Sequence, residues 1–216
     1  MTHRTIAIGD IHGHLAAFDA LLDQLKLKSE DTLVLLGDYI DRGPHSKQVI
    51  DRIIDLSKYY RVISIRGNHE EMMLKALENE WFFNTWMGNG GDIALESYGG
   101  RIELIPDRHL DFLENLPLVH EVENHFFIHA SFTPNRTLDD QMPADALWGS
   151  PENVRAIHFS GKVAIVGHTP QFNLQILDRE YLKCLDTACG FGGRLTAYEI
   201  MSGNVWQVTE MGEVSF

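Results

Sequence analysis

Residues 34–44 read VLLGDYIDRGP, an apolar run that stops at a glycine and is followed at once by the acid Asp38. A short apolar run bounded by turn residues is typical of a buried β-strand, so Asp38 is predicted to lie at the tip of a strand. A second acid, Asp41, and Arg42 follow before a Gly-Pro pair breaks the chain. Because open α/β sheets bind ligands at the tips of their strands, this stretch predicts a ligand site that Asp38 lines.

The same pattern, an apolar strand that ends in glycine and then in a side chain able to bind a metal, occurs at four places. They are residues 8–10, 36–38, 66–68 and 166–168, which end in Asp10, Asp38, Asn68 and His168. A fifth apolar run, 126–128, leads directly into His129. Glycine lets the backbone turn sharply and approach a ligand closely. Since strand tips converge on one edge of a sheet, we expect these scattered side chains to meet.

The spacing of apolar residues predicts alternating strands and helices in the first eighty residues. Strands are expected at 5–8, 32–36 and 61–65, and helices at about 15–25, 46–54 and 71–77, with Ser46 as a helix cap. This order is typical of a parallel sheet with right-handed crossovers. After Pro117 the pattern favours antiparallel strands, including one at 174–177. We therefore expect an α/β (α+β) fold in which residues 1–216 form a single domain.

Residues 79–100 allow two interpretations. The segment contains four large aromatic residues followed by five glycines. It is either a helix packed on the core with a loop after it, or a mobile cover over the site, since glycines permit movement and aromatic rings contact substrates.

Composition excludes several classes of protein. The chain has 216 residues, 44% hydrophobic and 23% charged, which is typical of a globular domain. A formal charge of −13 argues against a nucleic-acid partner. The sequence contains no apolar run long enough to span a membrane, and it does not start with an apolar leader. Its two cysteines, Cys184 and Cys189, favour a reducing compartment. We therefore expect a cytoplasmic protein without a membrane partner, and take a monomer as the default.

The predicted donors are carboxylate and amide oxygens together with imidazole nitrogens, and His12 stands beside the first of them. Such a mixture suits Mn, Fe, Zn or Co better than Ca or Mg, which prefer oxygen alone. Some of the predicted donors, taken one at a time, have a simpler explanation. Gly-Asp after a strand, for example, is a common turn. Asn68 with Glu71 three residues later also fits a helix capping box.

Taken together, these segments resemble the phosphoprotein phosphatase family of binuclear metallophosphoesterases. Its three signature blocks are similar to residues 9–13 (GDIHG), 37–43 (GDYIDRG) and 67–70 (GNHE), in the family's order and spacing. Two later histidine blocks are similar to 129–130 and 167–169, and residues 186–196 resemble the C-terminal segment of the small bacterial members. The resemblance implies a four-layer αββα sandwich of two mixed sheets flanked by helices, with the metals at one edge.

The resemblance also implies a role for each site residue. It implies two divalent metal ions, for which manganese is the favoured identity. It also implies that both ions share Asp38 as a ligand, because a carboxylate can span a metal pair. It implies that His69 is the general acid, partnered by Asp41. The implied ligands of the first metal are Asp10 and His12, those of the second are Asn68, His129 and His168, and the implied phosphate-binding residues are Arg42, Arg66 and Asn68.

Two positions depart from the family pattern. Ser131 follows His129-Ala130 where the family usually has glycine, and Ser150 stands where bacterial members commonly have an arginine after the Leu-Trp pair. Arg155, the next arginine, is therefore a candidate for a further phosphate-binding residue, although a surface arginine is an equally good interpretation.

The resemblance implies a phosphomonoesterase that uses a metal-bridging hydroxide and acts on phosphoserine or phosphothreonine in proteins. One alternative is a dinucleoside polyphosphate hydrolase of the diadenosine tetraphosphate type. Asp41-Arg42 and Glu70 favour the protein phosphatase, since the polyphosphate hydrolases of the family tend to carry Ala for this Asp and Asp for this Glu. A further alternative is a catalytically inactive scaffold that binds partners, but every ligand and the proton donor are present.

Overall fold

The computed structural model describes residues 3–214 and contains ten strands in two five-stranded sheets. The strands are β1 (Thr5–Ile8), β2 (Thr32–Leu35), β3 (Arg61–Ser64), β4 (Val119–Glu121), β5 (His125–Ile128), β6 (Val163–Val166), β7 (Leu177–Arg179), β8 (Leu182–Cys184), β9 (Arg194–Glu199) and β10 (Val205–Thr209). The helices are α1 (Leu15–Leu25), α2 (Ser46–Leu56), α3 (Asn68–Ala76), α4 (Glu80–Trp86), α5 (Asp92–Ser97), α6 (Asp107–Glu114) and α7 (Pro143–Trp148).

Both sheets are mixed. In the first sheet, ordered β10-β9-β1-β2-β3, strands β1, β2 and β3 are parallel, and β9 and β10 run antiparallel beside them. In the second sheet, ordered β4-β5-β6-β8-β7, the central strands β5, β6 and β8 are parallel, and the two outer strands are antiparallel to their neighbours. The expectation of antiparallel strands after Pro117 is therefore wrong for the centre of this sheet.

Three apolar clusters hold four layers together. Alternate side chains of a strand point to opposite faces, so Ile6 and Ile8 belong to the cluster that contains side chains of helices α1 to α6, whereas Ala7 belongs to the cluster on the other face. Ala7 and Val34 of the first sheet meet Phe127 and Ile165 of the second, which places the two sheets face to face. The other face of the second sheet packs against Ala146 of α7 and the loops beside it. The predicted αββα sandwich is confirmed.

Residues 79–100 are more helical than expected. They form α4 and α5, joined by a kinked turn over Met87–Gly91 in which Asn89 and Gly90 leave the helical conformation. Trp86 is fully buried, and Gly91 lies against its ring. The segment is thus packed on the core, as the first interpretation predicted, but a second helix replaces the loop.

Other differences are local. The strand expected at 174–177 lies at Leu177–Arg179. Ser46 is not the cap of α2 but its first residue; the hydroxyl oxygen of Ser46 accepts a hydrogen bond from Asp41 N instead. Within residues 3–214, none of the helices is long and apolar enough to cross a membrane.

Candidate metal centre

The two sheets bring their strand tips to one edge of the sandwich. Strands β1, β2 and β3 pair in register, with Ile8 opposite Leu35 and Leu35 opposite Ser64, so the turns that follow them are neighbours. In the second sheet, β5 and β6 are also parallel neighbours and lead into the later histidines. The residues that meet at this edge are Asp10, His12, Asp38, Asn68, His69, His129 and His168.

Asp38 is the residue that two groups of donor atoms share. One group contains His12, Asp38 and His69, and the other contains Asp38, His129 and His168; within each group, the donor atoms lie within 4.8 Å of one another. Asp38 Oδ2 is 3.6 Å from His12 Nε2, and Asp38 Oδ1 is 3.4 Å from His129 Nε2. The two oxygens of one carboxylate therefore face two different sets of nitrogens, as a shared ligand requires.

Asn68 points into the second group. Its Oδ1 lies 2.9 Å from both His129 Nε2 and His168 Nδ1. Asn68 is the first residue of α3, and the N-cap is Gly67, so the capping-box interpretation of Asn68 and Glu71 is wrong. Glu71 instead forms ion pairs with Arg66 and Lys75.

The histidines present unprotonated nitrogens to this edge. His12 Nδ1 donates to Ile40 O at 2.9 Å and His129 Nδ1 donates to Leu36 O at 2.8 Å, which fixes each neutral ring with its Nε2 lone pair toward the donors. Burial lowers the pKa of His12, of His129 and, to about 4, of His168. Neutral imidazole is the form that binds metals.

Two observations show that these residues fit metal ions. His129 Nε2 and Asn68 Oδ1 are both acceptors, yet they face each other at 2.9 Å, a separation that a shared cation explains. Asp10 Oδ1 is buried and has no hydrogen-bond partner among residues 3–214, whereas Asp10 Oδ2 accepts from His168 N at 2.9 Å. A buried oxygen of this kind is costly unless something binds it. The mixture of oxygen and nitrogen donors suits transition metals.

His69 differs from the other histidines because a carboxylate holds its outer nitrogen. His69 Nδ1 is 2.5 Å from Asp41 Oδ2, and both side chains are buried. Burial opposes protonation of His69, but the carboxylates of Asp38 and Asp41 outweigh it and raise the pKa of the ring. His69 Nε2 faces the donors, 3.8 Å from Asp38 Oδ2 and 3.1 Å from a guanidinium nitrogen of Arg42. The arrangement suits a proton donor.

Trp86 holds Asp41 from the other side. Its indole Nε1 donates to both carboxylate oxygens of Asp41 at 3.0 Å, and both residues are fully buried. No local sequence pattern predicts this role for Trp86, because the contact spans 45 residues.

Glu70 and Asp186 are two further buried acids to which sequence reasoning gave no role in the site. Glu70 accepts from the backbone nitrogens of Asp38, Tyr39 and Gly67 at 2.8, 2.8 and 2.9 Å, so it joins the turn after β2 to the start of α3. Burial, followed by the charge of Asp38, raises the pKa of Glu70 to about 7. Asp186 accepts from Ala188 N at 2.9 Å, and burial likewise raises its pKa to about 7.

The three candidate arginines are placed differently. Arg42 donates to His12 Nε2 and lies 3.1 Å from His69 Nε2, so it is at the centre. Arg66 instead binds Glu71 and, at 2.6 Å, Glu114 O near the end of α6. Arg155 is exposed beside a cavity of about 350 Å³ that Ser131 also lines. The structure brings only Arg42 of the three to the donors.

A sandwich of two mixed sheets whose strand tips share metal donors through one carboxylate defines a metal-dependent phosphoesterase. The family model for calcineurin-like phosphoesterases matches residues 3–174, and the chain belongs to that family.

Relatives with two different activities match most of the chain. The chain is 29% identical over 206 residues to serine/threonine-protein phosphatase 2 of Escherichia coli K12, covering 89% of this chain and 91% of that protein. It is 28% identical over 219 residues to an asymmetrical bis(5'-nucleosyl)-tetraphosphatase of Anoxybacillus flavithermus, covering 88% of this chain and 87% of that protein. The crystal structure of a cold-active protein-tyrosine phosphatase from a Shewanella species shares the fold, with a TM-score of 0.69, 18% identity and coverage of 100% of this chain and 80% of that one.

Proposed function

We propose that this phosphoesterase removes phosphate from phosphoserine and phosphothreonine in proteins. The observation that carries the proposal is the buried Asp41–His69 pair beside the donors. Release of a serine or threonine alkoxide requires a proton, since an alkoxide is a strongly basic leaving group. A polyphosphate leaving group is weakly basic and needs a general acid far less. A dedicated acid therefore favours esters of alcohols as substrates.

The other residues at the edge fit the same reaction. Six side chains would hold two divalent cations, for which Mn²⁺ is our first choice: Asp10, His12, Asp38, Asn68, His129 and His168. When bound, such a pair would neutralise the phosphate and activate a water molecule. Arg42 has the planar donor geometry that suits phosphate oxygens, and we assign it to substrate binding. Arg66 is left out because its side-chain contacts lie elsewhere, and Arg155 is left out because it is an exposed residue beside a separate cavity.

Hydrolysis of diadenosine tetraphosphate is the second candidate. It is favoured by the match to the asymmetrical tetraphosphatase, which extends over 88% of this chain. The two candidates share the metal centre and differ in the need for His69.

The test compares both substrates on chelator-stripped protein reloaded with Mn²⁺. We expect a phosphoserine peptide to be the better substrate, and His69→Asn to lower its turnover by about 10²–10⁴-fold while affecting diadenosine tetraphosphate much less. Faster turnover of the dinucleotide by the wild type, with little dependence on His69, would establish the second candidate. Turnover of neither substrate would favour an inactive scaffold. Elemental analysis of His69→Asn controls for loss of metal.

A further inference from the structure

Two exposed phenylalanines form a pair beside Arg42. The ring centroid of Phe191 lies 4.3 Å from the guanidinium carbon of Arg42, and the rings of Phe191 and Phe172 are 5.8 Å apart. Phe191 is 52% exposed and Phe172 is 71% exposed, so neither ring is needed to fill the core. The stacking on Arg42 accounts for one face of Phe191 and leaves much of the ring open to solvent.

The backbone fixes this pair against the metal centre. Gly190 packs so closely on His12 that an added Cβ would lie 2.5 Å from His12 Cδ2. Phe172 follows His168 by four residues, and Gln171 N donates to Asp186 O at 2.8 Å, which joins the two loops. Both aromatic side chains are therefore carried by loops that also build the site.

We propose that Phe191, supported by Phe172, is a substrate-contacting residue that selects phosphate esters with a planar ring close to the phosphorus. The inference rests on the proposed function, in which Arg42 binds the phosphate. A phosphate on Arg42 places the rest of the substrate next to the open part of Phe191. Aromatic rings stack or meet edge to face at centroid distances of 4.5–7 Å, and the contact is stronger than burial of the same area alone. The ring could belong to a residue beside the phosphoserine or to a nucleobase.

The primary test uses benzyl phosphate and cyclohexylmethyl phosphate with the Mn²⁺-loaded protein. Both esters release a primary alcohol and both groups have similar size, but only benzyl is flat. We expect the wild type to prefer benzyl phosphate by about 3–10-fold in kcat/KM and Phe191→Ala to lose that preference. Phe172→Ala should lose part of it. Tyr59→Ala, which removes a 76% exposed ring three residues after the end of α2, is the matched control and should keep the preference.

Competitive inhibition by inorganic phosphate separates contact with the substrate from support of Arg42. Phosphate has no ring, so its inhibition constant should be the same in Phe191→Ala and in the wild type. An inhibition constant that rises as much as kcat/KM falls would show that Phe191 acts only through Arg42 and would overturn the proposal. Equal losses on both esters would overturn it as well. If the wild type hydrolyses neither ester but turns over a phosphoserine peptide, the proposed function stands and the selection for a ring close to the phosphorus is contradicted. If it hydrolyses none of the three, the proposed function itself fails.

Two further arms of the experiment identify the source of the ring. One arm uses a phosphoserine peptide with phenylalanine directly after the phosphoserine, beside the same peptide with alanine there. The other arm uses diadenosine tetraphosphate. A loss of activity in Phe191→Ala that is confined to one arm supports the contact between Phe191 and the substrate and identifies the ring that Phe191 meets. The absence of any loss on both arms, together with an unchanged benzyl preference, contradicts it.

Discussion

Several residues of the metal centre hold a left-handed backbone conformation, which costs about 1–3 kcal/mol for a residue other than glycine. The residues concerned are His12, Asp38, Asp41, Arg42 and His168. Hydrogen bonds maintain the strained turns, since Asp38 N donates to Glu70, Asp41 N to Ser46 Oγ and His168 N to Asp10. These backbone conformations direct the side chains toward a common point. The surrounding hydrogen bonds therefore offset the conformational energy that the turns cost.

Trp86 offers a test of how firmly the proton donor must be held. In Trp86→Phe, Asp41 loses the N–H that bonds both of its oxygens, while the apolar ring remains in the core. A hydrogen bond to a charged group is worth about 1.5–3 kcal/mol, so we expect kcat on a phosphoserine peptide to fall by about tenfold or more. Metal content should not change, because among residues 3–214 the side chain of Trp86 donates only to Asp41, which is not a proposed ligand.

The matched control for this prediction is Trp81→Phe. Trp81 lies on the same helix, α4, but is 69% exposed. It should retain full activity. An unchanged kcat in Trp86→Phe would show that Asp41 needs no support from the indole.

At the scale of elements, the strand tips approach one another so closely that some turns accept only glycine. A Cβ on Gly167 would lie 2.1 Å from Asp10 Oδ1, which belongs to the turn after β1. In Gly167→Ala the carboxylate of Asp10 must move away. Because a displacement of about 1 Å at a reacting site can cost 10²-fold in rate, we expect a loss of activity of that order.

Gly88→Ala is the control, since no atom lies within 4 Å of an added Cβ there. Metal analysis decides the cause of the loss. We expect Gly167→Ala to bind less metal than Gly88→Ala at equal Mn²⁺ concentration. Full metal content together with full activity would mean that the turn adapts without disturbing Asp10.

The strand-tip pattern was enough to predict which side chains meet, because parallel strands bring their carboxyl ends to one edge. It could not distinguish Glu70 from Glu71 at the start of α3, since that depends on whether Gly67 or Asn68 is the cap. The parallel centre of the second sheet did leave a signal. The sequences HFFI in β5 and VAIV in β6 are largely apolar runs, as is typical of strands covered on both faces.

Side-chain contacts between segments that are distant in the chain could not be predicted from the sequence. Arg66 was expected to bind phosphate because its block matches the family, but its side chain reaches the carbonyl of Glu114, 48 residues away. Which way a long side chain turns depends on the elements that surround it, and no local pattern records that choice.

At the scale of the whole molecule, an ion pair between Arg4 and the buried Asp31 ties β1 to the loop before β2. Burial alone would raise the pKa of Asp31, but hydrogen bonds from Arg4 and from Lys28 N outweigh it and lower the pKa below 3.8. A lowered pKa in the folded state means that the pair stabilises the fold above about pH 4 and that this stabilisation is lost as the pH falls through the folded value.

We therefore expect Asp31→Asn to lower the free energy of unfolding by about 1–3 kcal/mol near pH 7. Urea denaturation should show that this difference shrinks as the pH falls below about 4, where Asp31 itself becomes neutral. Asp19→Asn, which breaks a half-exposed pair with Arg52, is the control and should change stability by less than about 1 kcal/mol. A difference independent of pH would assign the effect to packing instead of charge.

Metal binding should stabilise the whole fold, because the donors belong to strand tips of both sheets. Asp10, Asp38 and Asp186 gather negative charge at one edge; burial, followed by the charges of Asp186 and Asp38, raises the pKa of Asp10 well above its usual value. Two divalent cations would change the formal charge from −13 to −9 (−13 + 4) and relieve that repulsion. A ligand at 100 times its Kd adds about 2.7 kcal/mol, or about 5–10 °C in Tm for a chain of this size.

Thermal denaturation of chelator-stripped protein, with and without added Mn²⁺, checks this directly. In Asp38→Asn the residue that both donor groups share loses its charge, so we expect both ions to be lost and the shift in Tm to disappear. Asp178→Asn, at an exposed position of the edge strand β7, removes an acid whose side chain pairs with Lys183 and should keep the full shift. An Asp38→Asn protein that still carries two metals per chain would show that the two groups bind independently. In that case the carboxylate at the tip of β2 would be one ligand among several and not the link between the sheets.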